Sequence, residues 1–341
     1  GGGCPHILAE PQRTNDITYS EDFSQTDWQK IKSSVTSGFS SPDGGNNSYR
    51  WQEDTNSGVH SLKESYSFTS VDYSQTIFIK PNGRSNVLLW VDGASKGTRF
   101  DLSSGTIYSE TSSVGKITAM NDGWFKISTT VLGTSGTAFN LYSLDNFGNI
   151  SYTGDGTSGF YVYGAQLEVG SYATSYIPTS GSTVTRNQDI FTRDGIGSLI
   201  NSEEGVLFLE MAALQTTNTN AEYLVISDGT YTANSIMIQL RSGANQLAVW
   251  GYSGSVYQIA ETITLTDITD FNKIAIKWKL NDFEVFVNGS SVYSLATYTA
   301  PTGLDRIEFS RNGTAHFYGK VKQLQVYKTA LTDTQLAALT S

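Results

Sequence analysis

The sequence predicts an all-β protein made of two antiparallel β-sandwiches in tandem, and three observations carry that reading. Gly (33), Tyr (19) and Phe (16) are abundant and only 16% of residues are charged, a composition that suits short strands and polar turns better than helices. Short apolar or alternating runs recur with Asn-Gly and Asp-Gly between them. Those dipeptides accept positive φ at low cost and so mark hairpin tips. At 341 residues the chain is about twice a usual domain, so two domains of roughly 150 to 180 residues are expected, each able to bury a core.

Residues 1–13 open on GGGCPHILAEPQ, which lacks a basic start followed by an apolar stretch. The segment therefore reads as a linker from a longer chain and not as a signal peptide. The first domain, 14–190, contains Gln75–Lys80 before Pro81-Asn82-Gly83, Val87–Val91 before Asp92-Gly93, and Trp124–Leu132 after Asn121-Asp122-Gly123. Between Tyr176 and Ser202 the text turns polar and rich in Gly, Ser and Thr. A boundary is expected near Arg193, with 191–202 as linker. The second domain, 203–341, offers strands at Gly205–Glu210, Tyr223–Ser227, Ser235–Leu240, Gln246–Tyr252, Lys273–Leu280, Glu284–Asn288, Arg306–Ser310 and Gly319–Tyr327, enough for a sandwich. One helix is expected at Leu331–Leu339, capped by Thr332 and ornamental to the fold.

Charge and cysteine usage exclude several classes. With 22 Lys+Arg against 32 Asp+Glu the net charge is -10, which repels a polyphosphate, so nucleic acid is not an expected partner. Neutral glycans are accommodated more easily than sulfated ones. Cys4 is the single cysteine, so the fold rests on core packing with no intrachain disulfide. His6, His60 and His316 with Cys4 do not make a zinc site, and no apolar run has the length of a membrane span.

The first half is similar to a module common in phage tail fibres and related virion proteins. The matching text is Thr14-Asn15, TYSEDFSQTDWQK (18–30), SPDGGNN (41–47), FDLSSGT (100–106), NDGWFKIS (121–128) and SYTGDGTSGFYVYGAQLEVGSYATSYIPTSGSTVTR (151–186). Its first and last strands also resemble those of jelly-roll carbohydrate-binding modules. The second half resembles a laminin-G, concanavalin-A-like sandwich through FNKIAIKWKLNDFEVFVNGSSV (271–292) and GKVKQLQVYKTALTDTQLAAL (319–339). These resemblances imply a jelly-roll-like domain followed by a laminin-G-like one, with a glycan-binding ancestry.

Enzymes use the second fold too, so catalysis has to be weighed. The alternating Glu-x-Asp-x-x-Glu string of concanavalin-A-like glucanases is missing, as is the Gln-x-His of alginate lyases. Glu203-Glu204 and Asp267…Asp270 read as solvated strand ends and turns, and no Gly-x-Ser-x-Gly elbow precedes a helix.

Aromatic residues are the better lead, because the C–H face of a sugar stacks on an indole or phenol. A period of two puts Trp90 with Leu88 and Asp92, opposite Val87, Leu89 and Val91. The same count puts Trp250 and Tyr252 together, opposite Leu247 and Val249, with Tyr257 just beyond a Ser253-Gly254 turn. Trp90, Trp250, Tyr252 and Tyr257 are thus the candidate stacking residues, with packing against a second buried face as the competing reading. Trp278, aligned with Ile276 and Leu280, is core; Trp28 and Trp124 pack the first sandwich; Trp51 is left open. Loop acids Asp145, Asp155, Asp228 and Asp305 are the candidates for a structural calcium, although none forms an Asp-x-Asp-x-Asp-Gly loop and no cofactor is required.

These readings lead to a non-enzymatic adhesin module of a phage tail fibre, located on the virion or outside the cell. Its partners would be a cell-surface or matrix glycan and neighbouring fibre domains, without membrane insertion. A structural spacer of the fibre and an accessory part of a secreted polysaccharide-degrading enzyme are the alternatives. As an isolated fragment the chain is expected to be a monomer.

Overall fold

The computed structural model describes residues 6–216 and 222–341; Cys4 lies outside the described residues. The chain is nearly all β and divides into two compact units, one comprising Gln12–Asn187 and the other Gln188–Ser341 with the N-terminal residues up to Pro11. Every strand pairing among the named strands is antiparallel.

In the first unit, one sheet is built around Asn86–Asp92, Ala138–Leu144 and Ser57–Ser65, and the other around Val71–Asn82, Phe125–Thr134 and Gly159–Val169. Alternation sends Val87, Leu89 and Val91 of one sheet and Ile77, Ile79 and Ile127 of the other into a shared core, all fully buried. Trp28 and Trp51 join it. The Trp28 indole donates to the Tyr19 carbonyl at 2.9 Å, and Trp51 stacks on Phe160 at 5.5 Å. Trp124, expected to pack the first sandwich, is buried there in a separate cluster with Phe78 and Tyr163. The expected tips turn where positive φ is needed, at Gly83 (87°), Gly93 (82°), and Asp122 and Gly123 (56° and 76°).

Among the described residues the second unit has two six-stranded sheets, where the main sheets of the first have seven and six strands. Its core takes Leu207, Leu209, Ile274, Ile276 and Trp278 from one and Leu224, Ile226, Ile236, Ile238 and Val249 from the other. The tip at Asn288-Gly289 has φ of 46° and 85°, the left-handed pair of a type I′ hairpin.

Three stretches differ from the sequence reading. Ile7–Ala9, read as linker, pairs with Gly319–Val321 at a sheet edge. Within 191–202, also read as linker, Thr192–Arg193 pairs with Ile307–Glu308, and Ile196 and Ile200 enter the core. Edge strands of two or three residues give too little alternation to stand out in a polar context. The C-terminal helix, Asp333–Thr340, is no ornament. Leu336 is fully buried against Val206, Phe208, Ala275 and Phe286, on the sheet face opposite the core. Thr332 and Gln335 cap it reciprocally, a capping box. The helix also explains why Lys277 is buried, where it meets Asp282 at 2.7 Å and Asp333 at 3.3 Å, whereas Leu280, placed with the core by alternation, is exposed.

One buried acid gives the first unit a pH dependence. Glu64 pairs in register with Trp28 and Phe139, and burial pushes its carboxyl up to about 7. A raised acid contributes fully below its unfolded value near 4.5 and loses that contribution as pH rises through about 7. Glu64→Gln should flatten this slope and stabilise the unit at pH 8, by at most about 3 to 4 kcal/mol at roughly 1.4 kcal/mol per pH unit. Urea unfolding from pH 4 to 8 checks it; an unchanged slope would contradict the assignment.

Candidate glycan-binding surface

Two faces turned away from the cores carry the sequence-predicted aromatics, one in each unit. In the second unit, the sheet order around the site is Arg306–Glu308, Glu222–Ser227, Ser235–Leu240, Gln246–Ser253, Val256–Thr264. With Leu224, Ile238 and Val249 turned inward, the register aligns Val225, Met237 and Trp250 in one outward row. A register shift between Gly251 and Tyr252 sets Tyr252 opposite Tyr257. That bulge brings Tyr257 to the face of Trp250 and Tyr252, where strict alternation would turn it away.

The structure therefore brings Trp250, Tyr252 and Tyr257 together. Tyr257 meets Trp250 at 5.8 Å and Tyr252 at 5.2 Å, both edge to face. Trp250 and Tyr252 are half-buried, while Tyr257 is 43% exposed and the most open of the three. The hairpin tip beside them is fixed: Gly254 and Ser255 have positive φ, and the Gly254 N–H donates to Asn234 Oδ1 at 3.0 Å.

Three further residues extend the cluster and were not singled out from sequence. Tyr223 and Tyr231 pack on the same face. Arg311 lies over both rings, at 4.6 and 5.1 Å, and donates to the Tyr223 hydroxyl at 2.9 Å. Burial raises the Tyr223 pKa in spite of that cation. Tyr223 was legible from its i, i+2 relation to Val225; Arg311 comes from a turn distant in sequence and gave no local signal.

Among the described residues, the Trp250 Nε1 donor and the Gln239 Oε1 acceptor are buried without a hydrogen-bond partner. Gln239 neighbours Met237 and Ala248 on this sheet. Unpaired buried polar atoms cost roughly 1–3 kcal/mol each, and Trp51 Nε1 in the first core is buried and unpartnered in the same way.

Trp90 belongs to the first unit. It is half-buried on the outward face, with its ring against Gly97, where a Cβ would come within 2.7 Å of the indole. Across the register stands Asn140, whose Oδ1 is buried and unpartnered. Asp92, on the same face, accepts from Lys63 at 2.9 Å, Tyr142 at 2.8 Å and Asn140 at 3.1 Å. Burial and the bond to Asp92 raise the Tyr142 pKa, which keeps that hydroxyl a donor.

The carboxylates weighed from sequence are engaged locally. Glu204 pairs with Lys279 at 3.3 Å, and Asp267 accepts from the Thr269 N–H at 2.8 Å. Asp145, Asp155 and Asp228 each accept N–H groups of their own loops, from Phe147 and Asn149, Thr157 and Ser158, and Thr230. Among the described residues no three His, Cys, Asp or Glu side chains gather as a metal cage. No helix of the described residues is long and apolar enough to cross a membrane.

Residues 212–337, which lie in the second unit, match the family model of the concanavalin A-like lectin/glucanases superfamily. No curated protein matches the chain. Among solved structures, the chain is similar to the Ruminococcus gnavus IT-sialidase CBM40 bound to alpha2,3 sialyllactose, at 18% identity and a TM-score of 0.35, covering 41% of this chain and 84% of that one. The NanB sialidase of Streptococcus pneumoniae is similar at 17% identity and a TM-score of 0.36, over 44% of this chain and 27% of that one. A heptameric SAP-like pentraxin of Limulus polyphemus is similar at 12% identity and a TM-score of 0.34, over 42% and 72%.

Stability separates core from surface. Trp278 is fully buried and donates to the Asn201 carbonyl at 3.1 Å, so Trp278→Ala should cost about 3–5 kcal/mol. Tyr257→Ala should change stability by less than about 0.5 kcal/mol. Denaturant unfolding of both variants tests this. A loss at Tyr257 as large as at Trp278 would make the cluster structural.

Proposed function

We propose that the chain is a non-catalytic glycan-binding module that uses the Trp250, Tyr252 and Tyr257 cluster as its stacking surface. The observation that carries this reading is the coincidence, on one outward face, of clustered aromatics with a buried unpartnered donor and acceptor. Stacking supplies affinity without charge, which is compatible with a net charge of -10, and the unsatisfied Trp250 Nε1 and Gln239 Oε1 supply hydroxyl recognition. The lectin-type family model that matches 212–337 supports it further. Trp90 is a secondary contact of the first unit by the same chemistry.

The setting we infer is a bacteriophage tail fibre, with the glycan on a bacterial surface and neighbouring fibre domains as the other partners. The support is the long stretch of residues 151–186 that resembles fibre modules. On this reading the protein acts on the virion or outside the cell.

A bacterial surface-glycan array followed by calorimetry tests the proposal. Truncating a central interface Trp commonly costs about 2 kcal/mol or more, so Trp250→Ala should weaken binding roughly 30-fold. Affinity should change little between 50 and 500 mM salt, since no ion pair is involved. If no glycan binds the wild type, the structural-spacer reading replaces this one.

A further inference from the structure

The first unit carries a second feature that the proposed surface does not use. At the end of the sheet face that bears Trp90 lies a cleft of about 190 Å³ lined by Asn86, Arg99, Asp101, Tyr108 and Phe147, among others. Register places the polar residues there: Asn86 pairs with Asp101 and Leu88 with Arg99, on the side opposite the core residues Val87 and Leu89.

Its two aromatics are unusually open. Tyr108 is 67% exposed and Phe147 87% exposed. Phe147 is not on a slack loop. Asp145 Oδ1 accepts the N–H groups of Phe147 at 2.9 Å and Asn149 at 2.8 Å, the Gly148 N–H donates to the Asp145 carbonyl at 3.0 Å, and Arg99 donates to the Gly148 carbonyl at 3.0 Å. Four hydrogen bonds thus fix the backbone of the turn that presents the Phe147 ring to water, and preorganisation of a loop lowers the cost of binding. A lone exposed aromatic would call for no explanation; two lining one polar cleft do.

The charges define the ligand. Among the described residues Arg99 has no carboxylate within ion-pair distance, and Asp101 is held as a carboxylate by Ser103 and Ser104, whose bonds lower its pKa. A cation and an anion two residues apart on the strand Lys96–Asp101 cancel in net charge while offering donors and acceptors from one face. Vicinal hydroxyls fit that pattern, whereas a carboxylated sugar would meet Asp101.

We propose that this cleft is a second, independent binding site for one uncharged hexopyranose ring, stacked by Phe147 and Tyr108 and hydrogen-bonded by Arg99 and Asp101. It does not rest on the Trp250 surface. The test uses the full chain carrying Trp250→Ala, titrated by ligand-observed NMR with the methyl α-glycosides of glucose, galactose, mannose and glucuronic acid. At least one neutral glycoside should bind, the glucuronide should bind more weakly than it, and Phe147→Ala and Tyr108→Ala should each weaken binding about 10-fold with an unchanged melting temperature. Failure of all neutral glycosides to bind, a glucuronide that binds as tightly as they do, or a Phe147→Ala variant with wild-type affinity would each overturn the proposal.

Discussion

Burial of one face of each sheet against another is the constraint on which this protein depends. The chain has a single cysteine, so no intrachain disulfide restrains it, and each unit is held by alternating apolar residues that meet between two sheets. Fully burying such a side chain contributes roughly 1.5–3 kcal/mol. Once one face is committed to the core, the other is free to carry chemistry. Every functional candidate in the molecule lies on such a face or in a loop beside it.

The two sheets of the second unit use that freedom differently. One outward face is closed by the C-terminal helix, with Leu336 seated on Phe208 and Phe286 and Lys277 buried beneath acidic neighbours. The other carries Trp250, Tyr252 and Tyr257 without any helix across it. On the covered face the Lys277 ammonium meets Asp282 and Asp333, although Glu284 Oε2 beside it is buried without a hydrogen-bond partner. The aromatic face leaves the Trp250 indole and the Gln239 amide oxygen unpaired. The difference in covering within one sandwich, a helix on one face and clustered aromatics on the other, supports reading the second face as a ligand surface.

Period-two patterning made much of this legible. It separated Val87, Leu89 and Val91 from Trp90, and Leu247 and Val249 from Trp250 and Tyr252, because each run is long enough for alternation to stand out. Asn288-Gly289 announced its hairpin for the same local reason. What escaped was nonlocal or short. Ile7–Ala9 becomes a strand only because Gly319–Val321 offers an edge, and Arg311 reaches Tyr223 and Tyr231 only through the fold. Tyr257 shares a face with Trp250 through a bulge at Gly251/Tyr252 that no periodicity encodes. Phe147 gives no local signal either, because the turn that presents it is fixed by Asp145 and by Arg99 from a distant strand.

The central claim is that the half-buried Trp250 indole on the outward face meets a ligand hydroxyl, whereas the core indoles of Trp28 and Trp278 donate to the Tyr19 and Asn201 carbonyls. Nitrogen-15 NMR of the six tryptophan indoles, with Trp250 assigned by Trp250→Phe, reads this directly. On titration with the glycan that binds tightest on a bacterial array, the Trp250 Nε1–H signal should move downfield as it gains an acceptor, and the Trp28 and Trp278 signals should stay in place. A Trp250 signal that does not move at saturation would contradict the account.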